Sequence, residues 1–287
     1  MRNKDYRGKV AAITGAASGI GRSLATALAR EGCDLALSDV NESGLVETAR
    51  LCSRVRVTER RLDVADGADF RAWAAEVVRD FGRVNLLFNN AGVSYGATVG
   101  GGEEEEIRRV VDIDFWGVAH GTRAFLPHLA ASGDGHVVNI SSVFGLFAFP
   151  GQSAYNAAKF AVRGFTEALR IELEMTDSPV TATCVHPGGI KTNIMHVTKS
   201  HGSLADLGVD VGRANKEMEK AFRTTSDRAA EIILKGVKKN ERRVLVGTDA
   251  HILDLVQRFL PGTYHGIFAR IGRRRAREHA RAREKSQ

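Results

Sequence analysis

Between Lys9 and Gly32 the chain passes from a short apolar run (Lys9 to Thr14) through Thr14-Gly15-Ala16-Ala17-Ser18-Gly19-Ile20-Gly21 into a helical pattern. Ile20, Leu24, Ala27 and Leu28 fall on one stripe of that helix, and Gly32 is its stop. A strand that turns on glycines straight into a helix narrows the fold to one in which helices cover a largely parallel sheet. Three glycines in eight residues would otherwise describe only a tight turn. In this position, small residues let the backbone approach a pyrophosphate, and the helix N-terminus adds N–H donors and the positive end of its dipole. Gly15, Ser18, Gly19, Ile20 and Gly21 are therefore candidate dinucleotide-binding residues.

The alternation then repeats. Asp34 to Asp39 reads as a second strand and Glu42 to Ser53 as a helix; Val55 to Leu62 reads as a strand ending at Asp63 and Val64. Asp69 to Phe81 is a helix, and the strand Val84 to Phe88 runs into Asn89-Asn90-Ala91-Gly92. One long helix is expected from the acids Glu103 to Glu106, whose charge suits a helix start, to about Ala131. His136 to Ile140, Val180 to Val185 and Arg243 to Val246 read as further strands, with helices from Ser153, over Asp227 to Lys239 and over His251 to Leu260. The series predicts an α/β, single-domain, doubly wound Rossmann fold over residues 1–262: a parallel seven-stranded sheet with helices on both faces. Such sheets bind ligands at the carboxyl ends of their strands, so Asp63, Val64, Asn90, Ala91 and Gly92 belong to one crevice. Asp39 ends the second strand, eighteen residues after Gly21. A carboxylate there accepts hydrogen bonds from ribose hydroxyls and repels a 2′-phosphate, and neither Val40 nor Ser18 supplies a cation to hold one. This favours NAD over NADP.

A second cluster lies farther along. The run His136 to Ile140 ends in Ser141 and Ser142, and the helix after it carries Tyr155 and Lys159 four apart, on one face. A free phenol has a pKa of about 10, too high for proton transfer near neutrality, and a neighbouring ammonium lowers it. Ser142 is close enough in sequence to aim its hydroxyl at the same substrate oxygen. Alone, a Tyr/Lys pair at this spacing is common on helices. The link between the two parts contains Val143, Phe144, Leu146, Phe147, Phe149 and Pro150, which predicts a lipophilic substrate rather than a sugar or acid. Beyond it, Ala158, Val162, Phe165 and Leu169 form an apolar stripe. Residues 193–223, rich in glycine and without a clear period, read as a substrate lid or as a variable surface excursion.

The net charge is +7, but residues 270–287 hold eight basic residues against two acids, so the remainder is nearly neutral and offers no nucleic-acid surface. This basic tail, 263–287, leaves two readings: contact with an anionic membrane, or a frayed terminus. Cys33, Cys52 and Cys184 stand apart, and the nine histidines are dispersed, which predicts a reducing compartment and no metal site. No secretory signal or membrane-length apolar run is visible, so the expected location is cytoplasmic.

With these motifs in this order, the chain resembles the short-chain dehydrogenase/reductase family over roughly residues 7 to 250. The resemblance rests on Thr14 to Gly21, Asp63, Asn89 to Gly92, Ser142, Tyr155 with Lys159, and Pro187-Gly188 with Ile190 and Thr192 following. It implies that Tyr155 is the general acid/base, that Ser142 hydrogen-bonds the substrate oxygen, and that Lys159 holds the nicotinamide ribose. It places Asn90 and Gly92 beside the adenosine and ribose, Asp63 near the adenine and Thr192 at the carboxamide. It also implies a homodimer or homotetramer built through the active-site helix and the helix before it; the 158–169 stripe suits that role or packing on the sheet. One position departs from the family: Asp114 stands where an asparagine usually completes the catalytic group. A carboxylate accepts but does not donate unless protonated, so the proton relay through Lys159 is expected to be altered. That departure keeps open a rival reading, a non-catalytic dinucleotide-binding regulator.

Overall fold

Strands buried on both faces are apolar at most positions, and the few polar residues of the central strands, such as Asn89 and Asn139, are hydrogen-bonded to each other inside the core. In the computed structural model, which describes residues 5–192 and 198–284, all five residues of β1 (Val10–Thr14) are buried. The same holds for the four of β4 (Leu86–Asn89) and the five of β6 (His136–Ile140). The edges differ: β3 (Val57–Arg61) reads Val-Thr-Glu-Arg-Arg and is half exposed, and β11 (Arg243–Val246) alternates. With β2 (Asp34–Asp39) and β7 (Thr181–Pro187) these form a seven-stranded sheet of order β11-β7-β6-β4-β1-β2-β3, every pair parallel. The order reverses between β1 and β4, which opens a crevice at their carboxyl ends.

Helices cover both faces. On one, α1 (Gly19–Arg30) and α8 (Ser226–Lys238) pack Leu24, Leu28 and Ile233 onto Ile13, Leu35 and Val185. On the other, α3 (Gly67–Phe81), α5 (Gly117–Ala131) and α6 (Ser153–Met175) enclose Phe70, Trp73, Phe125 and Leu169, with Trp73 meeting Phe125 edge-on at 5.2 Å between ring centres. Local chemistry sets the ends. Asn41 caps α2 (Glu42–Leu51) by accepting from Gly44 N–H. Asp66 caps α3 by accepting from Ala68 and Asp69 N–H, and Gly82 closes α3 with φ +76°.

Three expectations change. The single helix expected over residues 103–131 is divided: α4 (Glu104–Val111) leads into one π-helical turn, Asp112–Trp116, before α5. Within the protomer, Ala158, Val162 and Leu169 of the 158–169 stripe are buried, Ala158 in a cluster with Tyr95 and Val110 and Leu169 in one with Val137 and Ala182. The outward stripe of α6 is Phe160, Ile171 and Met175. The 193–223 stretch is not irregular where described (193–197 lie outside the described residues): β9 (Lys199–Ser200) pairs with β5 (Tyr95–Gly96), a 3-10 turn spans Gly202–Leu207, and α7 covers Val211–Ala221. After it, β10 (Thr224–Thr225) pairs with β8 (Ile190–Lys191). The tail beyond residue 262 is helical: α9 (Thr248–Phe259) is followed by α10 (Thr263–Glu284), which lays the buried Tyr264 and half-buried Phe268 against Phe147.

Candidate active site

The crevice floor is stapled at the glycine turn. Thr14 Oγ1 accepts the N–H groups of Asn90 and Ala91, both at 3.0 Å, and Asn90 Nδ2 donates to the carbonyls of Thr14 and Gly15. Gly15 sits at φ +64°, where a Cβ would lie 2.8 Å from Ala91 Cα, and a Cβ on Gly21 would lie 2.1 Å from the Gly15 carbonyl oxygen. Across the crevice, a Cβ on Gly19 would meet Thr192 Cγ2 at 3.2 Å. No side chain fits at these points, so the surface is bare backbone. The start of α1 also differs from those of α2 and α3: Ser18 caps nothing with its side chain, and the first turn holds no acid. Its first N–H groups are left for an anion. At the end of β2, Asp39 accepts from Ala17 N–H and Asn41 N–H, each at 3.0 Å, which fixes the carboxylate beside the turn. This donor set and this cradle fit a dinucleotide.

Val64, Pro187 and Ile190 are buried, so their side chains face the interior, and Ile20 packs on the α1 side of the core. Asp63 is exposed and accepts from Ala65 N–H. Gly188 lies against Asp249, whose carboxylate accepts from Gly189 N–H at 2.5 Å.

Ser142, Tyr155, Lys159 and Asp114 come together. Lys159 is buried, donates to the Ile140 carbonyl at 3.2 Å, and lies 3.0 Å from Asp114 Oδ2. Asp114, fully buried in the π turn, accepts from Val93 N–H through Oδ1 at 2.7 Å, while its Oδ2 meets the ammonium as an ion pair without an aligned hydrogen bond. A Cβ on Gly92 would lie 3.3 Å from both charged groups, so the strand end covers the pair closely. Lys159 Nζ is 5.4 Å from the Tyr155 ring centre, and the Ser142 hydroxyl is placed to hydrogen-bond the phenol. Tyr155 as a whole is partly exposed.

The electrostatics correct one expectation. Burial raises the Tyr155 pKa; Lys159 and Ser142 lower it, Asp114 raises it, and the net shift is upward. Burial disfavours the Lys159 ammonium, but Asp114 and Tyr155 outweigh it and hold that pKa above its ordinary value. Burial likewise raises Asp114, against the pull of Lys159 and the Val93 N–H. Lys159 is thus the firmly charged member and Asp114 the carboxylate that balances it, so less of the ammonium's field reaches the phenol than the spacing alone suggests.

The apolar link forms a wall beside Tyr155. Phe144 meets the Tyr155 ring edge-on at 6.1 Å and stacks on Phe149 at 5.4 Å. Phe147 contacts Tyr264 and Phe268 of α10, and Tyr264 Oη accepts from Ala148 N–H at 3.1 Å. Asn156 braces the same link through both the N–H and the carbonyl of Phe149. Tyr264, Phe268 and Asn156 were not among the expected site residues. The four-residue spacing of Tyr264 and Phe268 was a usable signal, masked by the arginines that follow. Behind Ser142, His186 Nδ1 donates to the Ser142 carbonyl at 3.0 Å, and burial lowers its pKa to about 4. A separate groove of about 370 Å³ at the β11 edge, lined by Lys235, Lys239, Arg243, His251 and Arg258, contains none of these residues.

The comparisons agree with this geometry. Residues 9–202 match the sequence model of the family described as short chain dehydrogenase, and the chain belongs to that family of oxidoreductases. It is 49% identical over 267 residues, 92% of this chain and 95% of the relative, to the Mycobacterium tuberculosis protein named "Putative oxidoreductase SadH". It is 31% identical over 293 residues to mouse "Dehydrogenase/reductase SDR family member 7B", covering 98% and 86% of the two chains. Among solved structures it resembles a short-chain dehydrogenase/reductase from Burkholderia phymatum in complex with NAD, with a TM-score of 0.82, 29% identity, and coverage of 89% and 94%.

Proposed function

We propose that this protein is an NAD-dependent oxidoreductase that interconverts a lipophilic secondary alcohol and its ketone, or a primary alcohol and its aldehyde, with Tyr155 as the proton-transferring residue. The observation that carries the reading is the convergence of Ser142, Tyr155 and Lys159 beside the bare glycine crevice. When bound, the nicotinamide accepts or donates the hydride. In the reductive direction Tyr155 gives its proton to the substrate oxygen; in the oxidative direction it takes that proton back. Ser142 holds the same oxygen by a hydrogen bond and so orients it toward the phenol. Lys159 reprotonates the site and hydrogen-bonds the ribose, while Asp114 holds the ammonium in place from behind. The turn residues Gly15, Ser18, Gly19, Ile20 and Gly21 carry the pyrophosphate on backbone N–H groups. Asn90, Ala91 and Gly92 border the adenosine and ribose, Asp63 and Val64 the adenine, and Pro187, Gly188, Ile190 and Thr192 the carboxamide.

NAD is favoured because the Asp39 carboxylate, held at the end of β2 by the N–H groups of Ala17 and Asn41, would repel a 2′-phosphate. Arg22, in the first turn of α1, is committed to Glu47, Thr48 and the Ala17 carbonyl. The wall of Phe144, Phe147 and Phe149 favours a lipophilic substrate. Phe160, Ile171 and Met175 on α6 and Trp116 at the head of α5, all exposed, favour a homo-oligomer joined across these helices. A cytoplasmic setting suits three free, buried cysteines, and among the described residues no helix is long and apolar enough to cross a membrane.

The test is a coupled absorbance screen with NAD(H) and NADP(H) over steroid, retinoid, aliphatic and aryl alcohols and ketones, run on wild type and on Tyr155→Phe. The expected result is turnover with at least one lipophilic substrate, lowered on the order of 10²–10⁴-fold by the substitution while NAD binding is kept. No turnover with either cofactor on any substrate would favour the dinucleotide-binding regulator instead.

A further inference from the structure

The basic C-terminal segment takes no part in the chemistry above, yet it is well placed against the body. The inward positions of α10 are Tyr264, Phe268, Gly272 and Ala276, spaced by four; the first two sit on the aromatic link beside Tyr155. Farther along, a Cβ on Gly208 would lie 2.5 Å from Ala276 Cα, so α10 also covers the segment that follows β9. A helix seated on one face leaves its flank and its opposite face outside: the flank beside Phe268 and Gly272 carries Ile267 and Ile271, 44% and 47% exposed, and the opposite face carries Arg270, Arg273 and Arg277. On α9, Ile252, Leu255 and Phe259 form a second exposed apolar stripe, with Leu260 following at the elbow and Phe259 76% exposed. Interleaved with these, Thr263 to Arg277 contains five arginines and no acid, and Arg270, Arg273 and Arg277 are exposed.

We propose that the outward face of α10 and the α9–α10 elbow form a docking surface for an anionic lipid bilayer. Isoleucine and phenylalanine side chains would enter the boundary between headgroups and acyl chains, while the arginines, whose long stems reach past them, would meet lipid phosphates. The alternation of the two chemistries singles out this partner. A second copy of this chain would set one arginine-rich face against another of the same charge, with no acid between Thr263 and Arg277 to relieve it. A nucleic acid would satisfy the arginines and leave the apolar edge in water. The proposal does not depend on the substrate reading, although it would bring the aromatic wall of the crevice against the phase into which a lipophilic alcohol partitions.

The test is flotation of the full chain with vesicles of pure phosphatidylcholine and with vesicles of equal parts phosphatidylcholine and phosphatidylglycerol. Two variants are compared with wild type: Ile267→Ser with Ile271→Ser, and Arg270→Gln with Arg273→Gln and Arg277→Gln. Thermal melting and NAD binding serve as fold controls, since none of these residues lines the crevice. Wild type is expected to float with the anionic vesicles and to stay behind with the neutral ones. The arginine variant should lose on the order of a hundredfold in partitioning, about fivefold for each cation removed near the surface, and the isoleucine variant at least about tenfold. Equal recovery on both vesicle types, no recovery on either, or partitioning unchanged in both variants overturns the proposal. If the isoleucine variant instead falls to a smaller oligomer and wild type ignores vesicles, the face belongs to a second copy. Tighter binding to duplex DNA than to anionic vesicles at the same salt assigns it to nucleic acid.

Discussion

Replacing Asp114 by asparagine keeps the side chain's shape and the Oδ1 acceptor for Val93 N–H, and removes one negative charge. Lys159 Nζ lies 3.0 Å from Asp114 Oδ2 and 5.4 Å from the Tyr155 ring centre, which bounds the distance from the carboxylate to the phenol oxygen at about 11 Å. At an effective dielectric constant near 20, a unit charge at about that distance opposes phenolate formation by about 1.5 kcal/mol, or about one pKa unit, and more at any shorter separation. The sign is definite: Asp114 keeps the proton on the site, so its removal lets the proton leave at lower pH. Tyr155 and Lys159 titrate together, and the predicted quantity is the first proton lost from the pair. In Asp114→Asn, phenolate absorbance in the cofactor-free protein, corrected with Tyr155→Phe, is expected to rise at least about one pH unit earlier than in wild type. The alkaline limb of the oxidation rate should move the same way, so oxidation near neutrality becomes faster while reduction loses its acid at lower pH. The buried ammonium keeps only the Ile140 carbonyl among its named partners, so a stability loss of about 3 kcal/mol accompanies the change. An unmoved titration, or one displaced to higher pH, would refute the charge-balance argument even if the enzyme stayed active.

Three further predictions follow from the geometry. Asp39→Ser removes the carboxylate that accepts from Ala17 N–H and frees the space beside Arg61, its register partner on β3, which now pairs loosely with Glu42 at 3.6 Å; the ratio of kcat/KM with NADP to that with NAD should rise about tenfold or more, and an unchanged ratio removes Asp39 as the selector. His186 is neutral and buried, with its pKa lowered from 6.5 to about 4, so its contribution to stability is present above pH 6.5 and is lost as pH falls toward about 4, a loss of about 3 kcal/mol read by thermal melts; a His186→Asn variant should show a shallower acid slope, and an identical slope would show that other groups control it. Ile171→Glu with Met175→Glu places charge on the exposed stripe of α6 and should reduce the molar mass in light scattering without lowering the melting temperature of the protomer by more than a few degrees; a mass unchanged by the pair excludes this face as the joint between copies.

The parts that were legible in the sequence are those whose physical requirement repeats along the chain. A strand covered on both faces is apolar at most residues, which exposes β1, β4 and β6 as runs, and a backbone that approaches a pyrophosphate must lack side chains, which exposes Gly15, Gly19 and Gly21. Tyr155 and Lys159 were found by helical spacing because both lie on α6. Each missed feature depends on something that spacing does not carry. α7 has no buried residue, so no apolar period announces it. The π turn at Asp112–Trp116 is a change of hydrogen-bond register, and no residue type is required to make it. Yet that turn is what directs Asp114 at Lys159. Helical spacing brings an ammonium beside a phenol, but its electrostatic effect there depends on whatever else shares that ammonium. Here the sharer arrives from another helix, is fully buried, and is held from its other oxygen by Val93. Burial holds the phenol above its ordinary pKa in the cofactor-free site; the Lys159 ammonium pulls it down, and the Asp114 charge works against that pull.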